Sequence, residues 1–236
     1  MIDFTKFEKY SKAGPRYTSY PTAPEFKESF GEKELIEKYK NGDKNRALSL
    51  YIHIPFCRSA CYFCGCNVVF TSKDDKKKRY IDYLEKELTL IAKYLDTNRT
   101  VTQMHFGGGT PTFLEPEDLD RVIKLVQKTF PNFAKDAEIS CEVDPRFFTV
   151  EHMNVLKNGG TNRLSFGVQD LDPKVQEEIH RIQPFELTQN VMKIARDAGI
   201  KSINIDLIYG LPYQTKESFL ETIKQIASLE IGRAHV

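Results

Sequence analysis

Cys57, Cys61 and Cys64 follow one another in a C-x3-C-x2-C pattern that can turn three thiolates toward one centre. The chain has five cysteines, and four of them crowd into Cys57–Cys66. Such crowding indicates metal or redox chemistry rather than a disulfide framework. A closed zinc site takes four ligands, commonly as two pairs, and no second pair is present. Cys66 follows Cys64 by two residues, too close to fold back easily onto the same metal. A [4Fe–4S] cube held by three cysteines keeps one iron without a protein ligand, which is a substrate-binding position. The three-cysteine cluster is therefore the favoured reading, with zinc and structural thiols as the alternatives. Cys141, inside an apolar run, reads as a small buried hydrophobe.

Other polar residues recur where strands should end. Strand-like runs are Leu48–Ile54, Thr102–Phe106, Glu138–Val143, Arg163–Val168 and Ser202–Ile208. They are short, nearly continuous apolar blocks, as buried parallel strands require. The first leads into the cysteines and the second into Gly107-Gly108-Gly109-Thr110-Pro111. The third delivers Glu142 and Asp144, the fourth Gln169 and Asp170, the fifth Asp206. In parallel α/β folds, ligands sit at the carboxyl ends of the strands.

Helical periodicity fills the gaps at Asp75–Tyr94, Pro116–Phe130, Val150–Asn158, Pro173–Ile179 with Glu186–Ala198, and Lys216–Leu229. Thr149 and Thr215 are expected N-caps, and Pro116 and Pro173 first-turn residues. Asn158-Gly159 and Gly199 are expected to close helices through a left-handed residue. Five βα units predict an α/β fold with a parallel sheet that curls into a part-barrel. The alternative is an open doubly wound sheet, but the glycine run is not G-x-G-x-x-G. Residues 1–46 are polar and irregular, with one helix near Glu32–Asn41. Residues 47–229 form the barrel, and no sixth strand is expected after the fifth unit.

With those residues in place, the sequence resembles a known family. Tyr51-Ile-His-Ile-Pro-Phe-Cys57-x3-Cys61-Tyr-Phe-Cys64 is similar to the signature of radical S-adenosylmethionine (SAM) enzymes, whose fold is a partial TIM-like (β/α)6 barrel. Extended through Gly65-Cys66-Asn67, it resembles the oxygen-independent coproporphyrinogen III oxidases (dehydrogenases). Gly14–Thr22, Phe106–Thr112, Glu142–Arg146, Ser165–Asp170 and Asn204–Pro212 agree with that family as well. The resemblance implies that Cys57, Cys61 and Cys64 hold a [4Fe–4S] cluster. It implies a first SAM against Tyr51, Phe63, Gly108 and Glu142, and a second against Gly109, Thr110, Gln169, Arg181 and Asp206. Cys66 belongs to the family pattern as a candidate functional residue, and Arg16 is a candidate contact for a substrate propionate. The implied reaction is radical oxidative decarboxylation of two propionates of coproporphyrinogen III to vinyls, giving protoporphyrinogen IX in haem biosynthesis. Alternatives are a related haem chaperone and a radical SAM enzyme with another substrate. Blander readings remain for some residues. Tyr51 could be core packing, Glu142 the partner of a neighbouring base, and His53 and His105 satisfied core histidines. His180, beside Arg181, is a further candidate for a site role.

Composition bounds the partners. Thirty-four Lys and Arg face 33 Asp and Glu, a net charge of +1 that argues against nucleic acid or an anionic membrane as partner. The basic run Lys76–Arg79 reads as a solvated helix face. No run of 18 apolar residues and no secretory signal appear, so a cytoplasmic monomer is expected, served by an electron donor and acceptor. Glu230–Val236 is what a common sequencing-library adapter encodes when read through, so residues 230–236 are expected to be a non-native tail. An unclosed sheet would expose an edge and leave the chain marginal or inactive alone.

Overall fold

The computed structural model describes residues 25–71, 73–231 and 233–235. They fall into two compact units divided after Gly42. The first contains α1 (Glu32–Asn41), whose Gly31 backbone N–H is capped by Glu34 at 2.8 Å. Arg16 and the Gly14–Thr22 motif lie outside the described residues.

In the second unit the chain alternates strand and helix: β1 (Leu48–Ile54), β2 (Phe56–Cys57), β3 (Val69–Phe70), α2 (Asp74–Ile91), β4 (Val101–Gly108), α3 (Pro116–Thr129), β5 (Phe133–Val143), α4 (Val150–Asn158), β6 (Arg163–Gln169), α5 (Pro173–Glu178), α6 (Phe185–Asp197), β7 (Ser202–Leu207), α7 (Lys216–Ala227) and β8 (Arg233–His235). Six strands form one sheet in the order β1-β4-β5-β6-β7-β8, every neighbouring pair parallel. The order follows the chain without reversal, which excludes the doubly wound alternative and suits a winding part-barrel. Among the described residues no pairing joins β1 to β8, so the barrel stays open. The short β8 was not expected, and it lies in the segment read as a foreign tail. A parallel ladder needs only backbone groups, so three residues of almost any sequence can cover an edge in this way.

Local signals explain the helices. In α3, Leu119, Val122, Ile123 and Val126 are buried with helical spacing behind Pro116 in the first turn. Thr149 and Thr215 accept hydrogen bonds from the backbone N–H groups of His152 and Ser218. Gly199 is left-handed at φ +90°, as expected, whereas at the end of α4 that role falls to Gly160 (φ +84°) and not to Gly159 (φ −76°). In α2, Lys77 shares the buried face with Ile81 and Leu88. The expectation of a wholly solvated Lys76–Arg79 face therefore fails at Lys77. Its stem packs inward, and its ammonium meets Asp74 at 2.7 Å and lies 5.2 Å from the Phe113 ring centre.

Strand alternation separates two faces. Ile52, Ile54, Met104, Phe106, Cys141, Leu164, Phe166 and Ile205 point outward into the helix-covered core. Tyr51, His53, His105, Ser140, Glu142, Ser165 and Asp206 point inward and are only partly buried or exposed, except Ser140, which is buried. TIM barrels fill this space with branched apolar residues. A polar interior is instead the lining of a ligand site.

Candidate functional site

The cysteine loop is held at both ends. β2 pairs with β3, Val69 N–H donates to Pro55 O at 2.6 Å, and Thr71 N–H donates to Cys57 O at 3.2 Å. On the far side Tyr62 N–H donates to Ile179 O at 3.0 Å, and the His180 ring donates to Ala60 O at 2.8 Å while stacking on Tyr62 at 5.3 Å. His180 is thus a brace for the loop. Phe63 packs near Val175, Ile179 and Leu211.

All three thiols line one open cavity of ≈ 240 Å³ at the carboxyl ends of the strands. Phe63, Cys66, Gly108, Gly109, Thr110, Glu142, Gln169, Arg181 and Asp206 line the same cavity. Of the positions named from sequence, Tyr51 is not in its wall. Tyr51 is 59% exposed, which corrects the packing alternative: its ring faces the interior, stacked on His105 at 5.8 Å with its hydroxyl 2.9 Å from His53 Nδ1. His53 and His105 are partnered but are not core residues. His53 Nε2 meets Asn67 O at 2.9 Å, and His105 bridges Ser140 (2.7 Å) and Glu142 (3.3 Å). Cys141 is fully buried, as expected.

The glycine run is required by close approach. A Cβ on Gly108 would stand 2.7 Å from Ile54 O, and its φ of +123° disfavours any side chain. A Cβ on Gly109 would stand 3.0 Å from Cys57 Sγ. Gln169 carries strain of its own, a non-glycine residue at φ +73° at the cavity wall.

Sequence reasoning missed how the cavity floor is built. Asp144, 6% exposed, takes Arg146 Nη2 at 2.7 Å and Arg181 Nη1 at 3.1 Å. Burial alone would raise the Asp144 carboxyl, but the hydrogen bond from Arg146 and the charges of both arginines hold it below its ordinary value. Arg181 also donates to Gly167 O at 2.7 Å, so most of its fork is engaged within the protein. Its Nε is buried without a partner. The signal in the sequence was slight: Asp144-Pro-Arg146 invited notice, but Arg181 is 37 residues away from Asp144.

The donor set suits a cluster better than a single ion. Among the described residues no three His, Cys, Asp or Glu side chains converge to hold one metal ion. Each sulfur has a donor group at hand: Thr110 Oγ1 is 3.5 Å from Cys57 Sγ, Arg181 Nη1 is 3.5 Å from Cys61 Sγ, and Cys66 N–H is 3.5 Å from Cys64 Sγ. Hydrogen bonds to sulfur are what an anionic iron–sulfur unit requires. Burial raises the free Cys57 thiol, so its thiolate needs such compensation.

A family model described as the radical SAM superfamily matches residues 51–226, and the chain belongs to that superfamily. Its members use a [4Fe–4S] cluster and SAM. More particularly, the chain is 60% identical to an oxygen-independent coproporphyrinogen III oxidase of Helicobacter pylori, over 100% of this chain and 52% of that protein. It is 47% identical to the protein of the same name from Escherichia coli, over 99% and 50%. The solved structure of coproporphyrinogen III oxidase from Escherichia coli, described as a radical SAM enzyme, superposes with a TM-score of 0.86 at 45% identity. That match covers 93% of this chain and 51% of the other. The chain spans about half the length of the curated relatives it matches.

Proposed function

We propose that this chain is the cofactor-binding part of an oxygen-independent coproporphyrinogen III oxidase, which converts two substrate propionates to vinyls to give protoporphyrinogen IX. The observation that carries the reading is one cavity lined by all three thiols and by Gly108, Gly109, Thr110, Glu142, Gln169 and Asp206. The substrate is taken from the names of the relatives that match over the whole of this chain.

Cys57, Cys61 and Cys64 would hold a [4Fe–4S] cluster, with SAM at its open iron. Bound there, the two would supply one-electron cleavage of a C–S bond and the hydrogen abstraction that begins loss of carbon dioxide. The chain's own residues do the positioning. Glu142 accepts from a ligand amino group or ribose, and the backbone at Gly108 and Gly109 lets a ligand approach closely. Thr110, Gln169 and Asp206 supply polar contacts for a second SAM, to which Arg181 adds positive charge. The Phe63 ring, in the cavity wall, favours an adenine face or the sulfonium cation, whereas Tyr51 stands outside that wall. Arg16 offers a cation to a propionate. An electron donor and an acceptor complete the cycle, and the free state of all five cysteines suits a reducing compartment.

The test is anaerobic reconstitution, with iron and sulfide, of the full-length protein that contains this chain, then incubation with SAM, dithionite and coproporphyrinogen III. Protoporphyrinogen IX is expected by chromatography, and Arg16→Ala should weaken turnover while cluster absorbance stays intact. SAM cleavage without any porphyrin product would overturn the substrate assignment.

A further inference from the structure

On the floor of the cavity two arginines are gathered beside one ligand sulfur. Arg146 and Arg181 flank one carboxylate, Asp144, and the side chains of the three are 15%, 8% and 6% exposed. The two cations thus share this one carboxylate, which fixes both in place. Both guanidiniums turn to the same atom. Arg181 Nη1 lies 3.5 Å and Arg146 Nη2 3.7 Å from Cys61 Sγ. The Cys61 sulfur is thus the atom that both cations reach.

We propose that Arg146, fixed by Asp144, is a positioning residue that raises the reduction potential of the cluster held through Cys61. The inference rests on the cluster reading above. Adding an electron increases the negative charge on the iron–sulfur unit. A fixed cation beside one ligand sulfur stabilises the reduced form more than the oxidised one, and hydrogen bonds to sulfur act in the same direction. Arg146 suits this role because Asp144 fixes its guanidinium. Nε donates to Asp144 Oδ1 at 3.0 Å, and its guanidinium carbon is 5.3 Å from the Phe147 ring centre, so the side chain is held by both. Both arginines line the cavity, but Arg181 is the one proposed above as a contact for a second SAM, so Arg146 is the better probe of the effect on the cluster.

The experiment is a potentiometric titration with dithionite, followed by electron paramagnetic resonance, on the reconstituted chain and its Arg146→Met and Arg146→Lys variants. Iron content and far-ultraviolet circular dichroism are recorded alongside. Arg146→Met is expected to keep its iron and to shift the midpoint negative by about 59 mV, a tenfold change in the reduced-to-oxidised ratio. Arg146→Lys, which keeps the charge, should recover most of that shift. An unchanged midpoint in Arg146→Met overturns the proposal, as does loss of the cluster from both variants, which would make Arg146 a structural support only. An unsubstituted chain that takes up no cluster overturns the cluster reading and this inference together.

Discussion

Desolvation at the cavity lip, together with the neighbouring Cys64, pushes the Cys66 thiol up to about 11. The thiolate is the reactive form, so alkylation of Cys66 in the metal-free chain should rise about tenfold per pH unit up to that value. Mass-spectrometric mapping with iodoacetamide checks this, and a plateau near pH 8 would contradict it. Cys141 is fully buried and should stay unmodified throughout. Asp144 makes a second residue-scale prediction. Asp144→Asn leaves two guanidiniums facing each other without their carboxylate, a loss of about 3–5 kcal/mol by urea unfolding at pH 7. Because the folded carboxyl is held below its ordinary value, its contribution is complete above the unfolded value of about 3.9. It is lost as pH falls through the folded value, so the gap between variant and parent should narrow in acid. The thiols were legible from spacing alone because they occupy one loop. The Asp144–Arg146–Arg181 brace was not, because only the folded sheet brings Arg181 to Asp144.

At the level of elements, two glycines with positive φ differ in what surrounds them. Gly108→Ala meets both a positive φ and a carbonyl at 2.7 Å, whereas Gly210 has φ +78° with open space around it. The first substitution should cost about 1–3 kcal/mol beyond the αL penalty of about 1–2 kcal/mol expected at Gly210. Chemical denaturation of the two variants side by side decides it, and equal losses would contradict the close approach. Thr215→Ala removes an N-cap and should cost about 1 kcal/mol. Strand and helix positions were legible because periodicity and caps act within one element: β1 and α4 match the sequence reading from end to end. β5 starts earlier than its apolar run, at Phe133, because pairing with β4 recruits backbone that side-chain pattern does not mark.

Across the whole molecule, an ordered parallel sheet turns one polar face toward a shared interior and one apolar face toward its helices. Sequence showed the polar strand ends but not the inward row of His53, His105, Ser140 and Ser165, because alternation within nearly continuous apolar runs is faint. β8 raises a separate question at this scale. Among the side chains described after Leu229, Ile231 packs against the core, partly buried. Truncation after Leu229 is therefore expected to change thermal stability by about 1 kcal/mol or less. A larger loss would show that this segment is an integral part of the sheet.

Cys57, Cys61 and Cys64, and no other cysteines, would hold a four-iron cluster with one open position. This is tested most directly by counting iron and acid-labile sulfide in the anaerobically reconstituted chain and recording the resonance spectrum of the reduced cluster before and after SAM is added. About four iron and four sulfide per chain are expected, with a spectrum that changes with SAM. Loss of the cluster is expected on Ala substitution at any of the three cysteines, and retention in Cys66→Ser and Cys141→Ser. Zinc in place of iron, or a full cluster after Cys57→Ala, would contradict it.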